Sequence, residues 1–131
     1  MVTTILSKSP AIGILLKFGS PLITTLRIAA QCRSMILEVA ILYIKPGLYR
    51  EFETDFKKAG QYISSIPGYR HHSLQRCLEN INKYILLVEW DKLEDHTVGF
   101  RQSAVYVHWK ELLHHYYDPF PVVEHFQEIE L

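Results

Sequence analysis

The densest run of reactive groups in the chain is LLHHYYDPFP, Leu112 to Pro121, with two histidines, two tyrosines and an aspartate set among apolar residues and two prolines. Groups of these types can ligate a metal or move a proton. Spacing argues against the metal. His114 and His115 are neighbours, about 100° apart around a helix, so they do not share a face. His108 and His115 do share one, but two turns separate them by roughly 10 Å of rise, too far for one ion. His71 and His72 point to opposite faces of a strand. No HExxH motif is present, and Cys32 and Cys77 have no partners at ligand spacing. No protein-built metal site is therefore expected. His114 and His115 fall in the last turn of a helix, where a partly protonated imidazole interacts favourably with the negative end of the dipole. Pro119 and Pro121 stop that helix. The stretch reads as mainly structural, with one of His114 or His115 left as a candidate for a pocket.

Composition narrows the classes. A chain of 131 residues is most simply one domain, and 48% hydrophobic residues can form its core. Lys+Arg 14 balances Asp+Glu 14, without the basic excess of a nucleic-acid binder. The balance is uneven along the chain. Residues 1–34 hold Lys8, Lys17, Arg27 and Arg33 and no acid, which leaves ten basic against fourteen acidic residues beyond them. This basic N-terminal extension has no apolar run near the roughly 20 residues of a membrane span. Three readings of it stay open: an over-long start with Met35 as the true one, a targeting leader, or a structured or partner-binding extension. A disulfide framework is not expected, and a reducing, cytoplasmic setting is.

The folded domain is expected over residues 35–131. MILEVAILYIKPG reads as a strand that is apolar on both faces apart from Glu38, ended by Pro46-Gly47. Leu48, Phe52, Phe56, Ala59 and Ile63 then recur at helical spacing, and Ile66-Pro67-Gly68 stops the helix. YRHHSLQRC, residues 69–77, and KYILLVEWD, residues 83–91, read as a hairpin. Asp91 and Glu94 suggest a capping box, with a short helix over Leu93 to Val98. A longer helix over Gln102 to Tyr116 faces Val105, Trp109, Leu112, Leu113 and Tyr116 inward, and VVEHFQEI is a last strand. The order is βαββαβ, an α+β ferredoxin-like fold with a four-stranded antiparallel sheet and helices on one face. Strands apolar on both faces need a cover for the open side, and a second copy of the chain supplies it economically. A homodimer with two sheets face to face follows. Glu38 and Glu89, on otherwise apolar strands, either line a pocket, lie near strand ends, or pair with Arg or His across the dimer.

The segments MILEVAILYIKPG, IPGYRHHSLQRC, YILLVEWDKLEDHTVGFRQS and LLHHYYDPFP, in that order, resemble the antibiotic biosynthesis monooxygenase family, the dimeric α+β barrel group. The resemblance covers residues 35–131 and implies that fold. The group includes cofactor-free oxygenases of phenols and quinols as well as heme-degrading enzymes, so activity must be read from the site. Heme-degrading members use an Asn on the first strand, with a Trp and a His on the helix after the third. Here LEVAIL has no Asn, and Phe100 and Lys110 fall at or near the other two positions, with His108 and Trp109 reached only by a shifted alignment.

Some cofactor-free members carry Asn-x3-Trp-x5-Tyr, and this chain has His96-x3-Phe100-x5-Tyr106. Only the tyrosine matches. By this resemblance His96 is the candidate base and Tyr106 the group that holds the substrate oxygen. Phe100 packs on the ring, Arg101 stabilises the developing anion, and Trp109 is a further substrate contact. The expected function is a cofactor-independent monooxygenase acting on a small phenolic, quinol or related aromatic substrate with O2, with no metal or flavin. The alternative is a non-catalytic dimeric module of small-molecule binding or stress response. Nucleic acid is not an expected partner.

Overall fold

The computed structural model describes residues 34–131. The expectations for the basic extension, and Cys32 with them, lie outside the described residues. The elements run β1 (Ile36–Tyr43), α1 (Tyr49–Ile63), β2 (Tyr69–Arg76), β3 (Lys83–Trp90), a π-type turn (Asp95–Phe100), α2 (Ala104–Leu113), a 3₁₀ turn (His114–Tyr116) and β4 (Val123–Gln127). The sheet order is β2-β3-β1-β4 with every neighbour antiparallel. This is the ferredoxin-like α+β arrangement with an open sheet.

Alternation along the strands divides the residues between two faces. Ala40 and Leu42 of β1 and Tyr84, Leu86, Val88 and Trp90 of β3 are buried in one core with Phe52, Phe56, Ala59 and Ile63 of α1 and Trp109 and Leu113 of α2. The α1 residues follow the expected period. The other face carries Leu37, Val39, Ile85 and Leu87, all half-buried, with Ile41 43% and Phe126 49% exposed. It is apolar, and no helix of the described residues covers it. Glu89 sits there opposite His71, away from any cavity described below.

Local details differ from the sequence reading where side chains found other partners. Asp91 does not cap a helix, because it pairs with Arg70 at 2.8 Å, and the Lys92 N–H donates instead to Asp95 Oδ2 at 3.1 Å. The expected short helix is a π-type turn, in which the Arg101 N–H bonds back five residues to the His96 carbonyl at 3.1 Å. Gly68, at φ +91°, packs against this turn so closely that a Cβ would overlap the Asp95 carboxylate. The longer helix starts after Ser103, whose Oγ accepts the Tyr106 N–H at 3.3 Å, and its last turn tightens to 3₁₀. The final strand covers only Val123–Gln127. Among the described residues no helix is long and apolar enough to cross a membrane.

Candidate functional site

Between the helix-side face of β1 and the α2 layer lies a cavity of about 360 Å³, within the size range of small-ligand sites. Its floor comes from alternate residues of β1, namely Glu38, Ala40 and Leu42, with Leu86 of β3. Its wall comes from the π-type turn and α2: His96, Phe100, Arg101, Tyr106 and Trp109. The stretch that read as mainly structural closes the far side with His114, Tyr117, Phe120 and Pro121. That stretch therefore contributes more to the site than its helix-end chemistry suggested. The reason is its path: the Tyr117–Ile44 bridge and the Asp118 N–H bond to the Tyr43 carbonyl at 2.9 Å fold it back over β1.

All five residues singled out from the resemblance line this one cavity. His96 is 3% exposed and stacks on Trp90, with centroids 5.4 Å apart and planes at 19°. Phe100, 2% exposed, meets Tyr106 and Trp109 edge-on at 5.0 and 5.4 Å. The aromatic wall is thus held by mutual packing rather than by the ligand.

At the polar end stands Glu38, 4% exposed. Its Oε2 accepts the Trp90 Nε1–H at 2.8 Å, and its Oε1 lies 3.5 Å from His96 Nε2. The other ring nitrogen of His96, Nδ1, is 2.7 Å from His125 Nε2 on β4. Burial dominates the proton affinities here, because it penalises whichever form is charged. It pushes Glu38 up to about 7, against the Trp90 hydrogen bond and the Arg101 charge, which act the other way. It holds His96 down to about 3, with Arg101 and His125 adding to the effect. Since both shifts have the same main cause, the pair is not an ion pair below neutrality but a carboxylic acid beside a neutral imidazole. His96 is therefore a weaker lone base than its ordinary value implies. Burial also raises Tyr106, opposed by Arg101. The Arg101 charge is felt at Glu38, His96, Tyr106 and His125, second to burial, while Lys110 is the cation felt at His114.

His96 Nδ1 is engaged by His125 and its Nε2 lies 3.5 Å from Glu38 Oε1, and among the described residues no three His, Cys, Asp or Glu side chains converge as a metal would require. Two residues of the polar end drew little or no notice in the sequence. Glu38 stood out only as an acid in an apolar strand. His125 gave no signal at all, because its place is set by the β1–β4 register that puts it directly across from Glu38.

The model of the antibiotic biosynthesis monooxygenase family matches residues 35–112. The chain belongs to this family. YczJ, an uncharacterized protein of Bacillus subtilis (strain 168), is 56% identical over 95 residues, which are 72% of this chain and all of YczJ. A candidate antibiotic biosynthesis monooxygenase from Bordetella bronchiseptica superposes with a TM-score of 0.71 at 31% identity, over 74% of this chain and 99% of its own. SnoaB, a cofactor-independent oxygenase from Streptomyces nogalater, superposes with a TM-score of 0.59 at 17% identity, over 75% of this chain and 94% of its own; that likeness is one of fold.

Proposed function

We propose that this chain is a cofactor-independent monooxygenase of a small phenol or quinol. The observation that carries the reading is the convergence of a carboxyl–imidazole pair, a tyrosine hydroxyl, an arginine and an aromatic wall on one cavity of about 360 Å³. Membership of the family supports it. The substrate ring packs against Phe100 and Trp109, its hydroxyl faces Glu38 and His96, and Tyr106 hydrogen-bonds its oxygen. Removal of the hydroxyl proton gives a phenolate, stabilised by Arg101, that is electron-rich enough to reduce O2. Electron transfer and recombination form a carbon–oxygen bond to a peroxide, which takes a proton from the site. Loss of the ring C–H proton then breaks the O–O bond and leaves a quinone. One oxygen atom enters the product, and the other leaves as water with the two substrate hydrogens. The substrate supplies every electron.

The apolar face with Leu37, Val39, Ile41, Ile85 and Leu87 supports a homodimer with the two sheets face to face. Ile41→Glu with Leu87→Lys should give a monomer in sedimentation, and an unmutated chain that is monomeric at micromolar concentration overturns the dimer.

Oxygen uptake with a panel of hydroquinones tests the activity. The unmutated protein should exceed the blank, and His96→Ala should lower kcat by about 10²–10⁴-fold while the circular dichroism spectrum stays unchanged. Uptake never above the blank leaves the cavity as a binding site and the enzyme reading fails.

A further inference from the structure

Three ionisable side chains from three elements stand in single file at the polar end of the cavity. Glu38 projects from β1 into the cavity floor, His96 descends from the π-type turn, and His125 lies across from Glu38 on β4, an edge strand. Trp90 holds one oxygen of Glu38, so the other is aimed at His96 Nε2, 3.5 Å away. His96 Nδ1 then contacts His125 Nε2 at 2.7 Å. His96 is a link with a partner on each side. His125 is half-buried, so the file begins in the cavity and ends within reach of water. Packing does not account for this arrangement, since a buried polar set is generally matched or surpassed in stability by apolar residues of similar volume.

We infer that Glu38 is the group that takes the substrate's proton, and that His96 and His125 form the wire through which Glu38 exchanges that proton with solvent. This rests on the proposed function and names the working base of that site. The hops balance. Protonated Glu38 gives its proton to His96 Nε2, His96 Nδ1–H gives its own to His125 Nε2, and the His125 Nδ1–H proton passes to water. Glu38 is left as a carboxylate, now accepting the His96 Nε2–H. Each outward passage leaves both rings on the opposite tautomer, so both must flip back to Nδ1–H before the next proton leaves; the reverse sequence brings one proton in and restores both tautomers without a flip. Neither imidazole has to carry a charge for longer than a transfer, which suits two rings whose burial disfavours the cation. Glu38 is pushed up to about 7, so both of its forms are populated near neutrality, as a general base requires. The groups that face it are Trp90 of β3, His96 and Arg101 around the π-type turn, Tyr106 of α2, Tyr117 beyond the 3₁₀ turn and His125 of β4.

The test uses a nitrophenol as the bound probe, because its phenolate is visible by absorbance without any turnover. The pH is held about one unit below the probe's solution pKa, so that roughly a tenth of the free probe is ionised. The unmutated protein should bind about five-fold more phenolate than that fraction, and Glu38→Gln should bind the probe without ionising it. Glutamine keeps the shape and still accepts the Trp90 N–H, so the fold is retained. A pH jump with the probe bound reads the wire. His125→Ala should relax about ten-fold more slowly, and free imidazole in the buffer should restore the rate. If Glu38→Gln ionises the probe as the unmutated protein does, Glu38 is not the base. If His125→Ala relaxes at the unmutated rate, the wire is overturned. If no quinol supports oxygen uptake but both signals hold, the monooxygenase reading fails and the base with its wire stands.

Discussion

Two polar groups of residues border the same helix–sheet core, built from similar side chains, and they behave in opposite ways. In the first, Tyr84 donates to Glu53 at 2.7 Å with Arg76 3.0 Å from the same oxygen, while Tyr116 donates to Asp55 at 2.6 Å with Lys58 at 3.3 Å. Each carboxylate there has a hydroxyl and a cation. The Tyr116 hydrogen bond is the main reason Asp55 sits below its ordinary value, and burial followed by the same bond pushes Tyr116 up to about 12. In the second, at the cavity, Glu38 has an indole N–H and a neutral imidazole and is pushed the other way. A carboxylate near the surface with a hydroxyl and a cation in contact is satisfied; a buried one with an indole N–H as its hydrogen bond keeps its proton longer and remains available for chemistry. The contrast separates a scaffold from a site without reference to any ligand.

The largest way to break this contrast acts on the scaffold. Phe52 is fully buried and meets Phe56, Tyr84, Tyr116 and Tyr117. Phe52→Ala should cost about 3–5 kcal/mol in urea unfolding. A loss below ~1 kcal/mol would mean that the aromatic cluster is not the core of that end.

Next comes the pH dependence of the site. Glu38 binds its proton more tightly folded than unfolded, so its stabilisation is complete below its ordinary value and is lost as pH rises through about 7. His96 is the reverse. Its contribution is complete above its ordinary value and is lost as pH falls toward about 3. Between pH 4.5 and 8 the Glu38 effect amounts to at most ~3 kcal/mol. Glu38→Gln should flatten the alkaline fall in unfolding free energy, and an unchanged curve would place the titration elsewhere.

The smallest effect belongs to the satisfied group. Tyr84→Phe leaves Glu53 its arginine and should cost about 0.5–1.5 kcal/mol by thermal melting. It should leave the uptake of oxygen untouched. A loss of activity would join the two groups that the geometry keeps apart.

How much of this was legible in the sequence differs between the same regions. The scaffold was legible because hydrophobic period alone places Phe52, Phe56, Ala59 and Ile63 on one face of α1. Glu38 was visible as an acid in an apolar strand, but its upward shift comes first from burial under the π-type turn and α2, which the strand alone does not show. His96, Phe100 and Tyr106 were found through family spacing, and nothing local marks them. His125 was not legible, since only the register between the first and last strands brings it to Glu38. The cavity-facing side of Tyr117 and Phe120 was also missed, and His114 was left as one of two candidates, because a 3₁₀ turn redirects side chains that a continuous α-helix would have pointed elsewhere.

The π-type turn at Asp95–Phe100 holds one residue more than an ordinary helical turn. Loss of one codon, at Gly99 for instance, would let the Arg101 N–H reach the same His96 carbonyl as an ordinary i→i+4 bond, so the segment would wind as an α-helix with Phe100 and Arg101 nearly in their present phase relative to His96. Every site side chain would still be encoded. A relative one residue shorter at this point can therefore carry the same wall of side chains, and a gap in an alignment there does not by itself mark a lost site.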